Sequence, residues 1–238
     1  MIAASSDTQW SIVAHGDRCL VIRFGNEIDV QVGRRCGAAA AALRLAALPG
    51  VSDIVPTFNS VAVHFLPANF PSGQGAVQLQ ARILQVLGHA GLEGTPTTGR
   101  SIELPVCYGG EFGPDLPEVA SRIGLSEAEV IRVHAGEPVY VFMLGFAPGA
   151  PFMGLHDERF ALPRRDTPRT AVPAGSVAIA NRQTIVYPNE LPGGWHIIGR
   201  TPLCLFDATR HPSVLIAPGD NVRFTPITAA AFHDWPRP

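Results

Sequence analysis

The chain has 238 residues, 46% hydrophobic and 16% charged, with a formal net charge of −2. That length suits one large domain or two modest ones. The apolar share excludes a disordered chain, and the near-neutral balance excludes an overall field for nucleic acid.

No run reaches the ~18 uninterrupted apolar residues of a membrane-spanning helix. All eighteen basic residues are arginine. Schiff-base, biotinyl-lysine and P-loop lysine chemistry are therefore closed to this chain. Any bound phosphate or carboxylate must be met by arginine forks, backbone N–H groups or a partner. The first twenty residues include Asp7, His15, Asp17 and Arg18 and lack the basic start and apolar run of a secretory signal. Cys19, Cys36, Cys107 and Cys204 form no CxxC pair. Free thiols and a cytoplasmic location are expected.

In chain order, Cys19–Phe24 reads as a strand and Val30–Leu48 as a helix stopped by Pro49-Gly50. Val51–Phe58 and Ser60–Leu66 read as two strands joined at Asn59, and Ala76–Leu87 as a second helix. The order β-α-β-β-α predicts a small ferredoxin-like α/β domain over residues 1–92. The polar stretch 93–100 is the linker candidate, within GLEGTPTTGR. A second domain is expected over 101–238. It opens on the strand Ser101–Val106 and carries a helical insert near 114–134. There Asp115–Ile123 is broken by Gly124, and Ser126-Glu127-Ala128-Glu129 forms a capping box.

From Val139 onward no helix is expected. Tyr140–Leu144, Val177–Ala180, Thr184–Tyr187, Trp195–Ile198, Leu203–Phe206 and Asn221–Pro226 read as strands between fixed corners. Eleven of the chain's 22 prolines fall between Pro138 and Pro218. The fold class is thus α+β, with a β-barrel-like second domain.

No GxSxG, HExxH, GxGxxG or Walker A segment is present. The histidines lack ligand spacing, so no resident metal is expected. His134 and His196 have suggestive neighbours, although a lone histidine is most often structural. Ser176 is a strand-entry turn or a ligand contact. Arg164, Arg165 and Arg169 fall within six residues among Pro163, Pro168 and Pro173, with Arg182 and Arg200 later. Guanidinium forks on fixed corners suit a carboxylate or phosphoryl group. The alternative is pairing with Asp157, Glu158, Asp166, Glu190 or Asp207 to lock loops. Trp195, after Gly193-Gly194, either packs or lines a pocket. The Phe146–Phe152 loop is pocket wall or interface.

The runs LGFAPGAPFMG, PRRDTPRTAVPAGSVAIANRQTIVYP and PGGWHIIGRTPLCLFD resemble the KipI-like family. So do ELPVCYGGEFGPDLPEVASRIGLSEAEVIRVH and GDRCLVIRFGNEID upstream. That family includes the B subunit of the prokaryotic ATP-dependent 5-oxoprolinase. It also includes proteins labelled allophanate hydrolase subunit 1 or the first carboxyltransferase subdomain. The resemblance implies a small N-terminal α/β domain and a C-terminal cyclophilin-like β-barrel.

It further implies a KipA-like partner and a LamB/YcsF-like third subunit, the C and A components of the same 5-oxoprolinase. The complex opens 5-oxo-L-proline to L-glutamate with ATP and its Mg2+, and the chain alone is expected to be inactive. Alternatives are a KipI-type inhibitor of a sensor histidine kinase and a urea or allophanate carboxyltransferase-type subunit. Carried onto matching positions, the resemblance points to Pro163, Arg164, Ser176, Gln183, Tyr187, Trp195 and Arg200 as substrate or nucleotide contacts. Arg165, Arg169 and His134 are the catalytic candidates. The chain departs from the pattern at Ala150, Asn181, Arg182 and Ile185, which bears on pocket shape and substrate.

Overall fold

The computed structural model describes residues 10–71, 73–90 and 99–236. Two compact units divide between Thr98 and Gly99. The linker candidate lies mostly outside the described residues.

The first unit contains β1 (Ser11–Ala14), β2 (Cys19–Arg23), α1 (Val30–Leu45), β3 (Val51–Pro56), β4 (Ser60–Phe65) and α2 (Gly75–His89). Its four-stranded sheet has the order β1-β2-β4-β3, with every pair antiparallel. Because β4 lies between β2 and β3, α1 completes a split β-α-β unit. Alternation decides the core. Leu20, Ile22, Val61, Val63 and Phe65 point one way and are buried against Ala39, Ala40 and Leu43 of α1 and Leu79, Ile83 and Leu87 of α2. The spacing of that last trio is the i, i+4, i+8 stripe of an amphipathic helix. Asp29 caps α1, accepting from the N–H groups of Gln31 and Val32. β1 was not expected from the sequence. It is a four-residue edge strand, mostly exposed, with too little alternation to register.

The second unit contains β5 (Ser101–Tyr108), α3 (Leu116–Ile123), α4 (Glu127–Gly136), β6 (Val139–Leu144) and β7 (Pro151–Gly154). There follow β8 (Arg169–Val172), β9 (Ser176–Ala180), β10 (Gln183–Val186), β11 (Leu191–Gly193), β12 (His196–Arg200), β13 (Asn221–Pro226) and α5 (Ala229–His233). Seven strands close a barrel in the order β10-β7-β6-β13-β5-β12-β9, sealed by the β9–β10 hairpin. Closure leaves no unpaired edge. Only β5 and β13 run parallel. A separate two-stranded ribbon pairs β8 with β11.

Leu104, Val106, Val141, Met153, Val177, Ile179, Val186, Ile198 and Phe224 share the barrel's main core with Leu116, Val119 and Val130 of α3 and α4. The opposite faces of β9, β10 and β12 form another cluster, in which Ala178, Ala180, Ile185 and Ile197 pack with Tyr187, Trp195 and Val172 of the ribbon. These strands are buried on both faces, so they read as continuous apolar runs.

The capping box before α4 is formed in both directions: Ser126 N–H donates to Glu129 Oε2 at 2.9 Å, and Glu129 N–H donates to Ser126 Oγ at 3.3 Å. Two expectations are corrected. Leu203–Phe206 is not a strand: it has no ladder, and Phe206 alone makes a bridge, to Val214. Helical structure does occur after Val139, as a 3-10 turn at Glu158–Phe160 and as α5, which Thr228 caps. Both are too short to give a helical period.

Candidate functional site

Asp115 stands immediately before α3, and its side chain is 5% exposed. Its carboxylate accepts four hydrogen bonds. Arg169 forks onto it with Nη1 to Oδ2 at 2.8 Å and Nη2 to Oδ1 at 2.7 Å. Arg165 Nη1 reaches Oδ1 at 2.9 Å, and the Ile197 N–H reaches Oδ2 at 2.7 Å. Arg165 N–H donates to the Gly194 carbonyl at 2.7 Å, and Arg169 pairs with Gly193 in the ribbon. One carboxylate thus ties the start of α3, the ribbon and the entry to β12.

Burial alone would raise the Asp115 pKa. The Arg169 fork, the Ile197 N–H and the charges of Arg169 and Arg165 outweigh it and hold the group below its ordinary 3.8.

This geometry answers the open question about the arginine run. Arg169 forks onto Asp115 and Arg165 bonds it through Nη1, so both tie the corner, while the buried Arg165 Nε has no hydrogen-bond partner among the described residues. Their partner is Asp115, which the sequence reading did not consider because it lies 50 and 54 residues away in the chain.

Arg164 differs. It is exposed, with its guanidinium carbon 5.6 Å from the centre of the Trp195 ring, a cation–π stack. Phe152 meets Trp195 edge-on at 5.9 Å, and Phe146 meets Tyr187 edge-on at 6.3 Å. The Tyr187 hydroxyl lies under Gly193, where any side chain would collide with it. Burial raises its pKa, while Arg164, the Trp195 N–H and Arg169 pull it down. The Pro-Gly-Gly-Trp sequence is therefore explained: glycine admits the phenol, and tryptophan then covers the sheet face.

Arg164, Tyr187 and Trp195 come together as expected. Gln183 lies on the same face of β10 but at its far end, opposite Gly154. Pro163 contributes its carbonyl, 3.0 Å from Nε2 of the buried His196. Ser176 is buried within β9 and registers with Arg200, at the other end of β12 from Trp195. The candidate residues thus occupy more than one place.

His134 requires the clearest correction. It is 0% exposed in the barrel interior and cannot reach a substrate from there. Its Nδ1 lies 2.8 Å from the Tyr108 hydroxyl and its Nε2 3.0 Å from Thr184 Oγ1. His156, which the sequence reading missed, reaches the same Thr184 oxygen at 2.7 Å and stacks on His134 at 4.7 Å and 21°. Burial and then the His156 charge push His134 well below 6.5. Burial and then Arg182 bring His156 to about 4. Both rings are neutral near pH 7. The Thr184 hydroxyl has one proton, so it donates to one imidazole and accepts from the other. No local motif signals this network.

Among the described residues, no three His, Cys, Asp or Glu side chains are grouped to hold a metal ion. No helix among them is long and apolar enough to cross a membrane.

Fold and motifs together define the class. A family model described as carboxyltransferase domain, subdomain C and D, matches residues 10–216, and the chain belongs to this family.

Its relatives are more particular. A protein named as the B subunit of 5-oxoprolinase, from Bacillus subtilis (strain 168), is 42% identical over 235 residues, covering 94% of this chain and 96% of its own. Another of that name, from Escherichia coli O157:H7, is 42% identical over 78% of this chain and 82% of its own. Among solved structures, TTHA0988 aligns with a TM-score of 0.75 at 36% identity over 93% of this chain, which spans 41% of that one. PH0987 from Pyrococcus horikoshii aligns at 39% identity over its full length, with a TM-score of 0.55. The K. lactis urea amidolyase shares the fold, with a TM-score of 0.74 at 17% identity. Membership of the group that holds the 5-oxoprolinase B subunit, expected from the motifs, is borne out.

Proposed function

We propose that the chain is a subunit of an ATP-dependent 5-oxoprolinase, working with a KipA-like and a LamB/YcsF-like subunit to open 5-oxo-L-proline to L-glutamate. The observation that carries this reading is the 42% identity to a 5-oxoprolinase B subunit, extending over 94% of the chain. At 17% identity, the likeness to urea amidolyase extends no further than the fold.

The chemistry requires help because amide resonance protects the lactam carbonyl. Phosphorylating its oxygen creates a leaving group and an electrophilic carbon, and the transferring phosphoryl oxygens need cationic stabilisation. The donor set around Trp195 does not fit a triphosphate. Arg165 and Arg169 are paired with Asp115, lysine is absent, and no three metal-ligating side chains are grouped among the described residues. The partner subunits, in this reading, help to hold ATP and Mg2+.

In this reading Arg164 meets the substrate carboxylate. The buried Trp195 ring backs the Arg164 guanidinium, and Asp115 with its two arginines holds the ribbon beside it. Deleting the gene from its host tests the function in the cell. Growth on 5-oxo-L-proline as sole nitrogen source is expected to stop and to return with the gene. Undiminished growth of the deletion strain would overturn the proposal.

A further inference from the structure

Arg200 stands apart from the Asp115 cluster. Its Nε donates to the Ala174 carbonyl at 2.7 Å, and its guanidinium carbon lies 5.9 Å from the centre of the Phe232 ring. Among the described residues it forms no ion pair, and its terminal nitrogens donate to no described residue. The half-buried side chain lines a pocket of about 470 Å³, together with Phe232, Trp235, Pro188, Pro202 and Leu203. His233 also lines it, and no aspartate or glutamate does among the described residues.

The surroundings are rigid. Gly175 holds a left-handed φ of 82° with its N–H on the Tyr187 carbonyl at 2.7 Å, while the Thr201 N–H returns to the Gly175 carbonyl at 2.9 Å. A side chain at Gly175 would strike the Thr201 carbonyl. Phe232 is pinned by Phe112, their ring centres 4.6 Å apart. α5, which carries Phe232, starts from a Thr228 cap.

A guanidinium is charged at every working pH. Partly withdrawn from water and without a counter-charge, it favours an incoming oxyanion, and one fixed nitrogen aims the remaining donors. Two aromatic side chains favour a flat body over a flexible one.

The geometry points to a second small-molecule site, separate from that of the proposed function and not dependent on it. Its ligand is a small organic oxyanion, carboxylate or phosphate ester, borne on a planar ring. The oxyanion sits on Arg200 and the ring lies between Phe232 and Trp235.

Calorimetric titration of the full chain tests this with benzoate, adenosine monophosphate and inorganic phosphate. At least one ring-bearing probe is expected to bind saturably, and the preferred one tells carboxylate from phosphate. Arg200→Met should weaken it about tenfold or more, the scale of a charged hydrogen bond. Trp235→Ala leaves Arg200 on Ala174, so it should weaken ring-bearing probes more than inorganic phosphate while the thermal midpoint holds. Failure of both ring-bearing probes to bind, or binding unchanged in Arg200→Met, overturns the site.

Discussion

Thr184 is a single hydroxyl shared by two buried imidazoles, at 3.0 Å from His134 and 2.7 Å from His156. Valine has nearly the same shape but can neither donate nor accept, so it leaves both rings short of a partner. Thr184→Val is expected to cost about 1–3 kcal/mol in urea unfolding; an unchanged midpoint would mean the hydroxyl is idle. The histidines also set a pH dependence. Both folded-state pKa values lie below the unfolded value near 6.5, with His156 at about 4. The unfolded chain therefore binds more protons in that interval. Their contribution is complete above 6.5 and is lost as pH falls toward 4. Unfolding free energy should decline across that window, and His156→Leu should flatten the slope whatever it does to absolute stability. An equal slope in the variant contradicts this assignment. None of this was legible in the sequence, because Tyr108, His134, His156 and Thr184 are brought together only by barrel closure. The arginine run was legible as a cluster, but its Asp115 partner was not.

Elements were read best where their cause is local. The Ser126–Glu129 capping box lies within four residues, and the β9–β10 hairpin lies between proline and glycine corners. Asn181 and Arg182 make its turn with φ of 50° and 64°, a left-handed pair for which glycine would be the easier residue. Elements defined by a distant partner were read worst. β1 is a strand because β2 pairs with it, and Leu203–Phe206 is not one because no strand does. The entry to β12 allows a sharp test. A Cβ at Gly193 would overlap the Tyr187 hydroxyl, and Tyr187 belongs to the cluster that Trp195 covers. Gly193→Ala should lower the thermal midpoint and alter the near-UV circular dichroism of the aromatic cluster. A variant matching the parent in both would show that the close approach is not a constraint.

At the scale of the whole molecule, the chain divides between Thr98 and Gly99 into an α/β unit and a closed-barrel unit that carries α3 and α4 as an insert. The commitment of Arg165 and Arg169 to Asp115 changes what the molecule can do alone. In the proposed function Arg164, stacked on Trp195, is the guanidinium that meets the substrate carboxylate. The most direct measurement is reconstitution from three purified subunits, following ATP-dependent L-glutamate release from 5-oxo-L-proline. The account predicts that omitting this chain abolishes release, and that Arg164→Met lowers kcat/KM about tenfold or more while ATP affinity is unchanged. Full glutamate release by the two partner subunits in the absence of this chain would contradict it.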